Sequence, residues 1–160
     1  MIPALGVGLT SPTDDKVFTL GEMAVVDGKA YIYIQANGAI TGAGYVVSWK
    51  QDFDAIMTDT DTAATVAQGR FVGVAPAAFS DNQYGWVQVY GACSIRSEQD
   101  ALANGKLGPT ADGGQVDDAG SVGAKFFEGM YFGTATGGAD GLNTTGFLNW
   151  PQIQLVGTYA

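Results

Sequence analysis

The chain contains no histidine, and this absence excludes more chemistry than any other feature of its 160 residues. Without imidazole there is no Ser-His-Asp or Cys-His catalysis and no histidine-containing zinc site, and the commonest general base at neutral pH is missing. Cysteine is nearly as scarce: Cys93 stands alone, so no intrachain disulfide forms and thiolate zinc sites fail as well. Charged residues make up 14% of the chain, against about 25% in a typical soluble domain. Positive charge is the scarcer sign, with 7 Lys and Arg against 16 Asp and Glu and a net charge of −9. The seven cations (Lys16, Lys29, Lys50, Arg70, Arg96, Lys106 and Lys125) are scattered singly. Phosphate recognition needs a basic stripe, so no nucleic-acid partner is expected. An acidic chain also avoids anionic membrane surfaces, and no apolar run approaches the ~18 residues that would span a bilayer. The N-terminus, Met1-Ile2-Pro3-Ala4-Leu5, has neither Lys nor Arg nor a long apolar stretch. It does not read as a signal peptide, and synthesis in a cytoplasm is expected.

What is present points to strands. Residues 1–15 hold Pro3, Gly6, Gly8 and Pro12 without periodicity and read as an extended arm. Its apolar Ile2, Leu5, Val7 and Leu9 favour packing on a neighbouring subunit, and deleting the arm is expected to leave the rest folded. Residues 16–160 read as a single β-barrel-like domain. Asp27-Gly28 between Glu22–Val26 and Lys29–Ala36 is a hairpin signature, because both residues tolerate the positive φ of a tight turn. In the second arm Ala30, Ile32 and Ile34 share one face, and Lys29, Tyr31, Tyr33 and Gln35 the other. Further strands are expected at Tyr45–Trp49, Arg70–Ala75, Trp86–Ile95, Lys125–Thr134 and Ile153–Gly157. The expected class is therefore all-β, a small barrel or sandwich. One short helix is expected near 97–104, where Ser97-Glu98-Gln99-Asp100 resembles a capping box ahead of Ala101-Leu102-Ala103. The glycines show no fixed period, which removes collagen and solenoid readings. The polar stretch 133–146 reads as a long loop.

Candidate chemistry is thin. Asp14/Asp15, Asp52/Asp54, Asp59/Asp61 and Asp117/Asp118 are carboxylate pairs of the type used in glycoside hydrolysis. Neighbours in sequence rarely face each other across a sugar, so solvated turns are the expectation. Thr58-Asp59-Thr60-Asp61 lacks the Gly and distal Glu of a calcium loop, and Gly42-Ala43-Gly44 lacks the third glycine of a dinucleotide loop. No metal, cofactor or catalytic activity is expected. Cys93, on a face with Val87, Val89 and Ile95, reads as a small buried hydrophobe. Tyr31, Tyr33, Trp49, Trp86 and Tyr90 suit either a subunit interface, where Tyr and Trp are enriched, or a sugar platform. Interface residues are therefore expected at Ile2, Leu5, Val7, Leu9, Tyr31, Tyr33, Trp86 and Tyr90, in a homo-oligomer.

Phe71-Val72-Gly73-Val74-Ala75, Gln83-Tyr84-Gly85-Trp86-Val87-Gln88-Val89-Tyr90-Gly91 and Asn104-Gly105-Lys106-Leu107, continued by Gly113-Gly114-Gln115-Val116, resemble phage head decoration (cement) proteins. The resemblance covers about residues 69–118 and rests on short glycine-based motifs. It implies a compact barrel, often trimeric, that binds major coat protein subunits on the outside of the virion and stabilises the capsid. Acidic character suits that outer surface better than a DNA-facing interior. Alternatives are another virion surface component, such as a knob or fibre, and a carbohydrate-binding module.

Overall fold

The computed structural model describes residues 8–60, 70–118 and 125–155, and these are all-β, forming one large mixed sheet. The hairpin is where the sequence puts it: β1 (Met23–Val26) and β2 (Lys29–Ala36) are joined by Asp27 and Gly28 at φ 50° and 74°. Strand β2 lies inside the sheet and pairs along both edges, with β1 and β4 on one and β6 on the other. Side chains of both its faces are packed as well, with Ala30 and Ile34 in one cluster and Tyr31 and Tyr33 in another. The remaining strands are β3 (Val46–Trp49), β4 (Asp54–Met57), β5 (Phe71–Val74), β6 (Tyr84–Ser97), β7 (Leu107–Pro109), β8 (Val116–Asp118), β9 (Lys125–Phe132) and β10 (Leu142–Leu155).

The pairing closes on itself twice. In the first circuit β2 runs parallel to β4, β4 pairs β3, β3 pairs β5, and β5 and β2 both pair β6. In the second, β6 runs parallel to β8, β8 pairs β7, β7 pairs β9, and β9 and β6 both pair β10. The second circuit repeats the first strand for strand, and β6 closes one and opens the other.

The repetition extends to hydrogen bonds. Just beyond the parallel pair Ala36–Ala55, Asn37 N–H donates to Ala55 carbonyl; just beyond Ser97–Val116, Glu98 N–H donates to Val116 carbonyl. Gly38 N–H donates to the Asp81 carboxylate at 2.7 Å, and Gln99 N–H to that of Asp140 at 3.1 Å. Asn82 N–H returns to Ala36 carbonyl and Gly141 N–H to Ser97 carbonyl, with φ 66° and 68° respectively. Each circuit thus ties its first strand to the loop before its last by the same device, an Asp side chain followed by a left-handed residue.

Alternation along the strands divides the core. Val47, Trp49, Ala55, Val87 and Val89 fill the first circuit, whereas Val46, Val72 and Val74 point the other way and join Leu107, Phe127, Phe132, Leu148 and Ile153 of the second. Neither β3 nor β5 has a solvent face beyond its exposed end at Phe71. The outer side of the β2–β6 pair carries Tyr33 and Trp86, which residues 8–20 cover. Leu9, Phe18 and Leu20 pack there, with Phe18 5.3 Å from the Tyr33 ring and 5.1 Å from that of Trp86. Thr13 and Tyr84 exchange backbone hydrogen bonds at 2.9 and 2.8 Å, and the Gln83 amide donates to Asp14 at 2.9 Å. Part of the expected arm is therefore laid on its own chain, and its hydrogen bonds cross the expected boundary at 15/16.

Two expectations need correction. No helix occurs among the described residues: Ser97 is the last residue of β6 and its hydroxyl donates to Leu142 carbonyl at 3.1 Å. Asp100 N–H goes to Gly137 carbonyl, and Asp100 and Asn104 have φ 59° and 57°, which a helix cannot accommodate. The expected loop at 133–146 is loop only at first, because Leu142–Gly146 already belong to β10 and pair Ser97–Cys93. Strands β4, β7 and β8 are additions to the expected set.

Gly129 has φ 81°, and a Cβ there would come within 2.4 Å of Asn149 carbonyl oxygen. Gly129→Ala is expected to cost about 2 kcal/mol or more, read as a lower urea midpoint. Removing residues 1–15 is expected to cost about 2–4 kcal/mol relative to a chain that begins at Gly8, read by thermal melting, because Leu9 and the Thr13–Tyr84 bonds go with it.

Candidate functional site

Strands β6, β10 and β9 run side by side and carry an aromatic surface. Their inward residues fill the second circuit, so alternate positions face solvent. Three of these are aromatic. Tyr131 stacks on Phe147 with centroids 5.8 Å apart, and Tyr90 meets Phe147 edge-on at 5.5 Å. Tyr90 and Tyr131 are 38% and 40% exposed, so this three-strand ladder presents ring faces and hydroxyls outward. Such pairs are cross-strand neighbours that stabilise the sheet as well.

The ladder leads along β10 to a break in pairing. The register with β9 shifts between Leu148 and Gln152, a β-bulge. Trp150 sits in it at φ 51°, followed by Pro151, which donates no hydrogen bond to the ladder. Gly129 across from the bulge lets the two backbones approach where any Cβ would collide. Trp150 is 47% exposed and Phe71 50%, unusual values for such large rings. Between them is a hollow of about 320 Å³ at the open end of the first circuit, lined chiefly by Trp49, Phe53, Phe71, Val89, Trp150 and Pro151. Trp49 stacks on Phe71 at 6.4 Å and forms its floor. A second hollow of about 440 Å³ shares Trp150 and Gln152 with the first and is lined also by Glu128, Gly129 and Asn149. Trp150 is therefore an exposed ridge that borders both an apolar hollow and a polar one, as Gln152 does.

Of the residues expected at an interface, Tyr90 is in the ladder. Tyr33 and Trp86 are buried, and Tyr31 nearly so, beneath residues 9–20 of the same chain. Tyr33 hydroxyl accepts a hydrogen bond from Val17 N–H at 3.2 Å, which fixes that cover. Leu9 packs on the same cluster, while Ile2, Leu5 and Val7 lie outside the described residues. Phe71, Tyr131, Phe147 and Trp150 were not singled out by sequence. One signal was available for Trp150: a proline within a strand marks a bulge or edge, and Trp150-Pro151 follows a strand-like run.

The acidic pairs do not face one another across either hollow. Glu128 is the only carboxylate lining them. Asp52 accepts Asp54 N–H, Asp14 accepts the Gln83 amide, and Asp117 accepts Asp118 N–H at 2.7 Å. Burial raises the Asp117 carboxyl above the ordinary range, and the nearby Asp118 and Glu98 add to this against the hydrogen bond. Asp61 of the remaining pair lies outside the described residues. No cluster of three metal-ligating side chains occurs among the described residues.

Cys93 is partly buried against the second core cluster. Burial pushes its thiol up to about 12, opposed only by the positive charge of Lys29. The same burial, with Cys93 and Asp27 nearby, raises the Tyr31 phenol.

Comparison of the chain with models of known protein families and with curated protein sequences finds no match.

Cys93 is expected to resist a disulfide reagent in the folded protein near pH ~8 and to react fully on unfolding, because the nucleophile is the thiolate. Equal rates in the presence and absence of denaturant would contradict this. The linkage has a definite sign. A thiol pKa raised from 9.0 to about 12 contributes stability that is present below 9.0 and lost as pH rises towards 12.

Proposed function

We propose that this chain is a structural virion protein that decorates the outer surface of a phage capsid and stabilises it by binding coat subunits. The observation that carries the reading is the aromatic ladder in which the exposed Tyr90 and Tyr131 flank a half-buried Phe147. Aromatic residues supply large contact area with little side-chain entropy to lose, and they dominate the energetics of protein interfaces. A rigid strand surface of this kind suits contact with a fixed lattice, where preorganisation limits the cost of binding. The resemblance to head decoration proteins falls on residues 69–118, which here build β5 to β8 and so span the junction between the circuits. A net charge of −9 suits the outside of a particle. Within the same reading the two circuits are small barrels fused through β6, and the chain assembles as a homotrimer.

The test is co-sedimentation of purified protein with capsids lacking their decoration. Tyr90→Ser and Tyr131→Ser are expected to weaken binding about 10-fold or more each while the chain stays folded, checked by melting, since each also loses a ring contact with Phe147 that supports the sheet. Unaltered binding by the double variant, or no binding by the unmodified protein, would overturn the reading. Light scattering on the same samples checks the trimer.

A further inference from the structure

We propose that the ridge at Trp150 is a binding site for a pyranoside sugar, stacked on the indole face and hydrogen-bonded by Asn149, Gln152 and Glu128. This goes beyond capsid binding and does not rest on it.

The first observation comes from the repetition of the two circuits. Asn82 near the start of β6 has its counterpart in Gly141 at the start of β10, tied by the same hydrogen bond to the first strand of each circuit. The same spacing carries Gly91, at φ 95°, onto Trp150, at φ 51°. Each long strand thus bends through a left-handed residue at the same place. In β6 that residue is glycine, which adopts the conformation freely. In β10 it is tryptophan, among the least suited to it, since a left-handed bulky residue is a true outlier. Strain of this kind persists where surrounding structure imposes it and clusters at ligand sites. The close approach of the two backbones at Gly129 imposes it here, against the extended conformation that the following proline favours.

The second observation is what surrounds the ring. A buried tryptophan would explain the strain by packing, but Trp150 is exposed and lines two hollows. Asn149, Gln152 and Glu128 line the polar one, all three are exposed, and none makes a side-chain hydrogen bond among the described residues. Together they offer amide donors, amide acceptors and a carboxylate acceptor beside one aromatic face.

A pyranose ring matches that arrangement. One of its faces carries C–H groups with partial positive charge, which the negative face of an indole attracts. Its edge carries hydroxyls that both donate and accept. Phe71, on the far side of the apolar hollow, offers a second ring to a neighbouring sugar unit. A protein partner fits less well, because the core of a protein interface is depleted of charge and of uncommitted polar groups. A purely apolar ligand would leave the polar hollow unused.

The experiment uses the full chain and intrinsic fluorescence. Trp86 is 1% exposed and lines neither hollow, so sugar-dependent emission changes report Trp150 and, when the apolar hollow is filled, Trp49. Methyl pyranosides of glucose, galactose, mannose and N-acetylglucosamine, and a linear tetrasaccharide of each, are titrated in turn. At least one series is expected to give a saturable change, with the tetrasaccharide binding tighter than the monosaccharide. Trp150→Gly keeps the left-handed backbone and removes the ring, and with binding read by calorimetry it is expected to abolish the interaction while leaving melting unchanged or raised. Asn149→Ala and Gln152→Ala are expected to weaken it several-fold, and Tyr131→Ser, in the ladder, to leave it intact. A flat titration for every sugar overturns the proposal, as does sugar binding retained by Trp150→Gly. Loss of capsid binding or self-association in Trp150→Gly, together with flat titrations, would make the ridge a protein contact and equally overturn it.

Discussion

Strand β6 must satisfy two sets of backbone partners, and it does so by exchanging them at Tyr90 and Gly91. Before that point its edges belong to β2 and, at Gln88, to β5; after it they belong to β10 and, at Ser97, to β8. Tyr90 itself is paired on both sides, with Ala30 and with Asn149. The bend depends on the absence of a side chain at Gly91, where a Cβ would lie 2.9 Å from Gly28 carbonyl oxygen. The Gln88 amide secures the turn by donating to the carbonyls of both Tyr90 and Ala92 at 3.0 Å. Everything else in the architecture follows from this exchange, because it lets a single strand close one circuit and open the next.

The shared strand also accounts for the surface. Each circuit turns half of its side chains inward, and the first circuit adds a second covered face where residues 8–20 lie over Tyr33 and Trp86. Among the described residues nothing lies over the outer face of β6, β10 and β9, where Tyr90 and Tyr131 are exposed on either side of a half-buried Phe147.

Local signals in the sequence were reliable where the determining chemistry is local. Asp27-Gly28 specifies its hairpin through backbone preference alone, and alternation reveals β6 and β9. Ser97-Glu98-Gln99-Asp100 misleads because a capping box describes the same residue types as a strand end. Here Ser97 spends its hydroxyl on β10 instead, a partner far away in sequence. Leu142–Gly146 looked like a loop because Asn143, Thr144 and Thr145 break the apolar pattern, yet pairing with β6 along the whole segment, joined by β9 at Gly146, holds it extended. The repetition of the circuits was invisible for a different reason. It is carried by backbone hydrogen bonds and by Asp81 and Asp140, while the equivalent core positions Ala55 and Val116, or Ile40 and Ala101, differ in size. The candidate sites follow the same rule: burial of Tyr33 and Trp86 depends on how residues 8–20 cross the sheet, which no periodicity encodes.

A duplicated architecture ordinarily yields two modules that come apart separately, each melting at its own temperature. Sharing β6 removes that option. Unzipping β2 from the first half of the strand frees the residues that set the bend for the second half, and opening β10 releases the other side of Tyr90. Val46, Val72 and Val74, which belong to the first circuit by pairing, lose their apolar neighbours when the second opens. The free energy of one circuit is thus contingent on the other, and the molecule denatures as a single cooperative unit rather than in two steps.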